Sequence, residues 1–116
     1  MTIEQLDASL NEAILTGKAM EAYETYYADG VVMQENDAAP TAGKDANRQR
    51  ELAFFASVEQ FHGAAVLSKA AGGNVTFSEW TMDVTFQGGH RVQWTQAVVR
   101  RWQDGQIVAE RFYYGK

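Results

Sequence analysis

Between Ser78 and Phe86 every second residue is large and apolar (Trp80, Met82, Val84, Phe86) and the residues between them are polar, which is the period of a strand with one buried side. The period resumes after Gly88-Gly89 in Val92, Trp94, Gln96 and Val98. Asp104-Gly105 then separates it from a last run, Gln106 to Tyr114. Three antiparallel strands sharing one apolar face are predicted for Val75 to Tyr114. Turns of three residues, with the final glycine in the left-handed bulge position, keep the apolar residues together. They set Val84 opposite Val92, Met82 opposite Trp94 and Trp80 opposite Gln96. In the second hairpin they set Val98 opposite Glu110 and Gln96 opposite Phe112. On this register the apolar face carries Trp80, Met82, Val84, Phe86, Val92, Trp94, Val98, Val108, Phe112 and Tyr114, with two polar groups, Gln96 and Glu110, among them.

Upstream the period lengthens to that of a helix. Thr2 followed by Gln5 is a capping-box signature, Ile3, Leu6, Leu10, Ala13 and Ile14 fall on one stripe, and Gly17 ends the helix. A second helix is predicted from Lys18 to Ala28, with Met20, Tyr23 and Tyr27 on one side. Asp29-Gly30 breaks it, and the β-branched start of Val31 to Asn36 predicts a short strand with Val31, Met33 and Glu35 on one face. A loop from Asp37 to Gly43 holds the only proline, Pro40. A third helix is predicted from Lys44 to Val58, with its polar first half toward solvent and its apolar residues late. Ala64 to Ala70 reads as a weakly patterned strand turned by Gly72-Gly73-Asn74. Helix, helix, strand, helix and four strands amount to helices packed on one face of a mainly antiparallel sheet, an α+β fold. The three C-terminal strands, curled around the helices, are expected to line a pocket.

Composition narrows the function without naming it. The 116 residues make one domain with a single core, 46% are hydrophobic, and fourteen are aromatic. A net charge of −5 argues against nucleic acid or an anionic membrane as the main partner. The absence of cysteine excludes disulfides and thiol catalysis. With no basic segment followed by an apolar run at the start, and no stretch of membrane-spanning length, a soluble cytoplasmic protein is expected. No phosphate-loop, dinucleotide or serine-nucleophile motif is present, and His62 and His90 lack metal-ligand spacing. Neither a cofactor nor a metal is expected.

The chemistry that remains is carboxylate chemistry. Glu35, if it points inward with Val31 and Met33, is desolvated into the stronger base that proton abstraction beside a carbonyl needs; otherwise it is a solvated strand end or caps the following loop. Glu110 lies within diagonal reach of Arg100, so a buried ion pair competes with a catalytic role. Tyr23, Tyr27, Met33, Trp80, Met82, Trp94, Gln96 and Phe112 are the candidate lining of a pocket for a small apolar or aromatic molecule. Aromatics at this spacing are equally a core. The run of Arg48, Arg50 and Glu51 reads as a solvated helix face.

Three segments, Tyr26-Tyr27-Ala28-Asp29-Gly30-Val31-Val32-Met33, Thr41-Ala42-Gly43-Lys44 and Trp102 to Phe112, resemble the nuclear transport factor 2-like superfamily, in particular its SnoaL-like and ketosteroid-isomerase-like branch. The resemblance covers nearly the whole chain. It implies a cone-shaped curved sheet wrapped around helices, a hydrophobic pocket, and a homodimer formed through the sheet. It also implies a general base at the end of the first strand, where Glu35 stands. The isomerases' two oxyanion donors fall here at Leu10 and near Val98. The aspartate of SnoaL-type cyclases on the last strand falls at Phe112, two residues from Glu110. A cofactor-free isomerase or cyclase acting on an apolar carbonyl compound is the function so implied, and a non-catalytic binding or dimerisation module of the same fold stays open beside it.

Overall fold

Thr2 accepts from the Gln5 amide at 3.2 Å while the Gln5 side chain accepts from the Thr2 amide at 2.9 Å, so the predicted capping box starts the first helix. In the computed structural model, which describes residues 1–115, the order is α1 (Ile3–Leu15), α2 (Ala19–Tyr26), β1 (Tyr27–Glu35), β2 (Thr41–Ala42), α3 (Lys44–Ser57), β3 (Val58–Gly72), β4 (Val75–Phe86), β5 (His90–Gln103) and β6 (Gln106–Tyr114). The six strands form one curved, unclosed sheet in the order β2-β1-β6-β5-β4-β3. All pairings are antiparallel except that of β1 with β6. The fold is α+β. Among the described residues no helix is long and apolar enough to cross a membrane.

The β4–β5 hairpin has the predicted register throughout, with Gln87-Gly88-Gly89 as its three-residue turn and Gly89 at φ 85. Only a residue without a Cβ takes that conformation cheaply. The β5–β6 hairpin does not. Its turn is the two residues Asp104 and Gly105, both at positive φ, and a bulge between Arg101 and Trp102 shifts the register further along. Val98 therefore faces Phe112, Gln96 faces Tyr114, and Arg100, rather than Val98, faces Glu110. The bulge also turns Ile107 into the core in place of Val108.

Two boundaries moved, and one helix turned over. The second helix stops at Tyr26, because Tyr27 is already drawn into the sheet beside Ile107, and Asp29-Gly30 lies within the irregular start of β1 rather than at a helix end. β3 runs from Val58 instead of Ala64. It is an edge strand with three register shifts against β4, which scrambles the alternation a sequence pattern relies on. The orientation of α3 is the reverse of the expectation. Its one buried residue is Asn47, in the polar half, while Leu52 and Phe55 are 44% and 43% exposed.

The core fills the space between α1, α2 and the sheet, with Leu10, Ala22, Tyr23, Tyr27, Val31, Met33, Trp102 and Ile107 in one buried cluster. The aliphatic side chains among them, Leu10, Val31, Met33 and Ile107, each contribute roughly 1.5–3 kcal/mol by leaving water. Helix α3 covers the opposite end of the same inner face, where Phe54 meets Phe86 edge-on at 6.1 Å.

Candidate carboxylate site

Alternation along β4, β5 and β6 aims Thr76, Ser78, Trp80, Met82, Arg100, Gln96, Glu110 and Phe112 at the inner face, and the two helical ends meet that row differently. At the α1 end the face is closed by polar contacts. Arg100 is 2% exposed. Its Nε donates to Glu110 Oε2 at 2.7 Å, and its Nη1 donates to Asp7 Oδ1 at 2.8 Å and Asn11 Oδ1 at 2.7 Å. Thr76 donates to the same Asp7 oxygen at 2.9 Å and accepts from the Trp102 indole at 2.9 Å. Tyr27 adds a 2.7 Å hydrogen bond to Glu110 Oε2. Burial, and then the negative charge of Glu110, push the Tyr27 phenol well above its ordinary value, so it is a fixed donor.

One atom in this network is left over. Glu110 is 2% exposed, and with Oε2 taken by Arg100 and Tyr27 its Oε1 has no partner. An unpaired buried carboxylate oxygen costs stability unless something supplies a donor.

At the α3 end the face stays open. Met82, Trp94, Gln96, Phe112 and Tyr114 are only partly buried, and α3 reaches this side of the sheet through Phe54 on Phe86 and Arg50 on Glu35. Glu35 ends β1 beside Phe112; its Oε2 accepts from Arg50 at 2.5 Å and its Oε1 from Tyr114 at 3.0 Å. With a side chain 42% exposed and both oxygens occupied, Glu35 sits at the rim, and the desolvation expected of it is absent. Helix α3 adds Glu51, which is partly buried and which burial, then the charge of Glu110 and more weakly that of Glu35, push up to about 7 against the pull of Arg50. We refer to this half-open region between α3 and the inner face as the cleft.

The remaining expected lining residues divide between core and cleft. Tyr23 and Tyr27 are buried and stacked on each other at 4.6 Å, and the Tyr23 hydroxyl donates to the Lys44 carbonyl at 2.8 Å. Burial pushes the Tyr23 phenol up to about 12. Met33 is 1% exposed within the same cluster. Trp80 is buried with its indole on Ser78 Oγ at 2.8 Å, whereas Trp94 is partly exposed, donates to Gln96 Oε1 at 3.0 Å and stacks on Phe86. Two open surface depressions, of about 430 and 500 Å³, touch neither Glu35 nor Glu110. Only Met82 and Trp94 of the expected lining border one of them.

Sequence reasoning missed Asp7, Asn11 and Glu51. The signal for the first two was the spacing Ile3, Asp7, Leu10, Asn11, Ile14, one helical face in which two positions are polar. For Glu51 it was its distance of four residues from Asn47, once Asn47 is known to be buried.

A family model of the SnoaL-like domain matches residues 1–114. No curated protein sequence matches the chain. Among solved structures, a SnoaL-like polyketide cyclase candidate from Mesorhizobium loti is 28% identical, with a TM-score of 0.86 over 98% of this chain and 100% of that one. A protein with a ketosteroid isomerase-like fold from Catenulispora acidiphila, solved with trimethylamine, is 16% identical, with a TM-score of 0.77 over 93% and 84% of the two chains. A protein of unknown function with a cystatin-like fold from Xanthomonas campestris is 15% identical, with a TM-score of 0.88 over 100% and 92%. The last two show the fold alone.

Proposed function

Since the chain belongs to the family of SnoaL-like domains, we propose that it acts on a flat, apolar carbonyl compound as a cofactor-free isomerase or cyclase, by moving a proton within the cleft. The observation that carries this reading is the partnerless Oε1 of Glu110. Arg100 and Tyr27 hold Oε2 and aim the group, leaving Oε1 as the carboxylate oxygen that, among the described residues, is buried with no partner and is placed to accept a proton from a ligand. Glu35, engaged by Arg50 and Tyr114, serves at the rim to orient the ligand or pass the proton outward. Trp80, Trp94, Gln96 and Phe112 supply the apolar walls and one amide.

A second reading, a binding module without chemistry, has its own support: Leu10 and Val98 carry no donor at the places where the resembling isomerases polarise a carbonyl. The outer sheet face, where Phe77 and Tyr113 are 45% and 42% exposed, is the surface assigned to a homodimer under either reading. Light scattering at twice 12.9 kDa would support that assembly, and a monomer mass would remove it.

The indole N–H resonances provide the test. Titration with a panel of flat ketones should move the Trp94 and Trp80 signals and leave that of Trp102, sealed in the core, in place. With any ketone that turns over, Glu110→Gln should lower kcat by about a hundredfold or more. A panel that moves neither indole refutes the ligand, and undiminished turnover in Glu110→Gln refutes the base.

A further inference from the structure

We propose that Glu51 is the acid of the cleft, its protonated carboxyl donating to the carbonyl oxygen of the ligand while Glu110 acts from the carbon side. The inference rests on the reading above and supplies the oxygen-side partner that Leu10 and Val98 cannot.

Geometry puts Glu51 in that place. Asn47 is 0% exposed and its amide donates to the carbonyls of Val31, Thr41 and Gly43 at 2.9 to 3.1 Å, which clamps the first turns of α3 to β1. Phe54 against Phe86 fixes the last turns. Glu51 lies between these anchors, one turn beyond Asn47 on the same face. Its charged neighbours turn away: Arg48 pairs with Glu24 and Asp45, and Arg50 pairs with Glu35. Glu51 itself has no ion pair or hydrogen bond among the described residues.

The charges acting on it are those of Glu110 on β6, Glu35 on β1 and Arg50 on its own helix, and the phenols of Tyr27 on β1 and Tyr23 on α2 in turn feel the charge of Glu51. Only Arg50 is cationic, and it is committed to Glu35. The surroundings therefore favour the neutral acid at Glu51, while at Glu110 Arg100 and Tyr27 occupy Oε2 and leave Oε1 as an unfilled acceptor. A carboxyl set among other carboxylates is suited to donate, and one held by a guanidinium with an oxygen to spare is suited to accept. In the step itself, Glu110 Oε1 takes a proton from the carbon next to the carbonyl. The C–H pair becomes the C=C bond of an enol, and the carbonyl π pair closes on oxygen, which takes the Glu51 proton. Where the ligand carries a C=C bond one carbon further on, the enol is a conjugated dienol; Glu110 returns its proton at the far end of that dienol and the enol O–H proton goes back to Glu51, so the double bond has moved and no outside oxidant or reductant is needed.

Affinity for 2-acetylnaphthalene, with 2-ethylnaphthalene as the hydrocarbon control, tests the assignment by fluorescence at about pH 5.5 and about pH 8.5. The wild-type protein should bind the ketone about tenfold more weakly at the higher pH, as the donor is lost, and the hydrocarbon equally at both. Glu51→Gln, whose amide still donates, should bind the ketone independently of pH. Glu51→Ala should lose the preference for ketone over hydrocarbon altogether. Flat ketone binding in the wild type, or a pH dependence that survives in Glu51→Gln, overturns the role of Glu51 and leaves the cleft standing. If neither naphthalene binds, the cleft falls and Glu51 with it.

Discussion

At the α1 end of the inner face, Arg100 joins Asp7 and Glu110 through side chains that are 3%, 5% and 1% exposed; at the α3 end, Arg50 meets Glu35 through side chains that are 37% and 42% exposed. Both clusters consist of carboxylates around a guanidinium, yet the physics differs. The buried cluster had to take three charges out of water, a cost met only because Asn11, Thr76 and Tyr27 complete its hydrogen bonds. The exposed pair stays solvated and gains little from contact. Glu51 lies between the two regimes, too buried to ionise readily and too open to be sealed.

Removing Arg100 should break the contrast most severely. Arg100→Met leaves Asp7 and Glu110 buried without their cation and is expected to cost about 3–5 kcal/mol in urea denaturation. A loss under about 1 kcal/mol would mean the cluster is wetter than described. Glu110→Gln keeps the shape and one acceptor for Arg100, so about 1–3 kcal/mol is expected, again by denaturation.

Glu51→Gln should act in the opposite direction and only above the acid range. The unfolded carboxyl titrates near 4.5 and the folded one at about 7, so as pH rises between these values the unfolded state releases its proton first. Stability should fall across that window and level off above it. Glu51→Gln should remove this slope and gain about 1–3 kcal/mol near pH 8, after allowance for solvent screening of a partly exposed group. Parallel stability profiles for the two proteins would contradict the placement of Glu51. The smallest effect belongs to the rim: Glu35→Gln should change stability by less than about 1 kcal/mol at moderate salt.

The part of the fold that alternates cleanly was legible. The β4–β5 register followed from Trp80, Met82 and Val84 meeting Gln96, Trp94 and Val92, because one slip would have exposed them all. The capping box at Thr2 needs only local chemistry. The β5–β6 register was lost to a bulge that no residue type announces, although Arg100 and Glu110 were already within each other's reach. What stayed illegible was polar burial. Asp7, Asn11, Asn47 and Glu51 look like solvated positions on helices, and it is the tertiary arrangement of carbonyls and charges that brings them inside. A helix such as α3, whose apolar residues face outward at Leu52 and Phe55, gives periodicity nothing to recognise.

Carbon-detected NMR titration of the glutamate side chains, with Glu51 assigned by its disappearance in Glu51→Gln, asks most directly whether Glu51 is held as an acid under the influence of Glu110. A midpoint near 7 that moves down when Glu110 becomes Gln is the expected result. A midpoint in the ordinary carboxylate range, unmoved by Glu110→Gln, would contradict it.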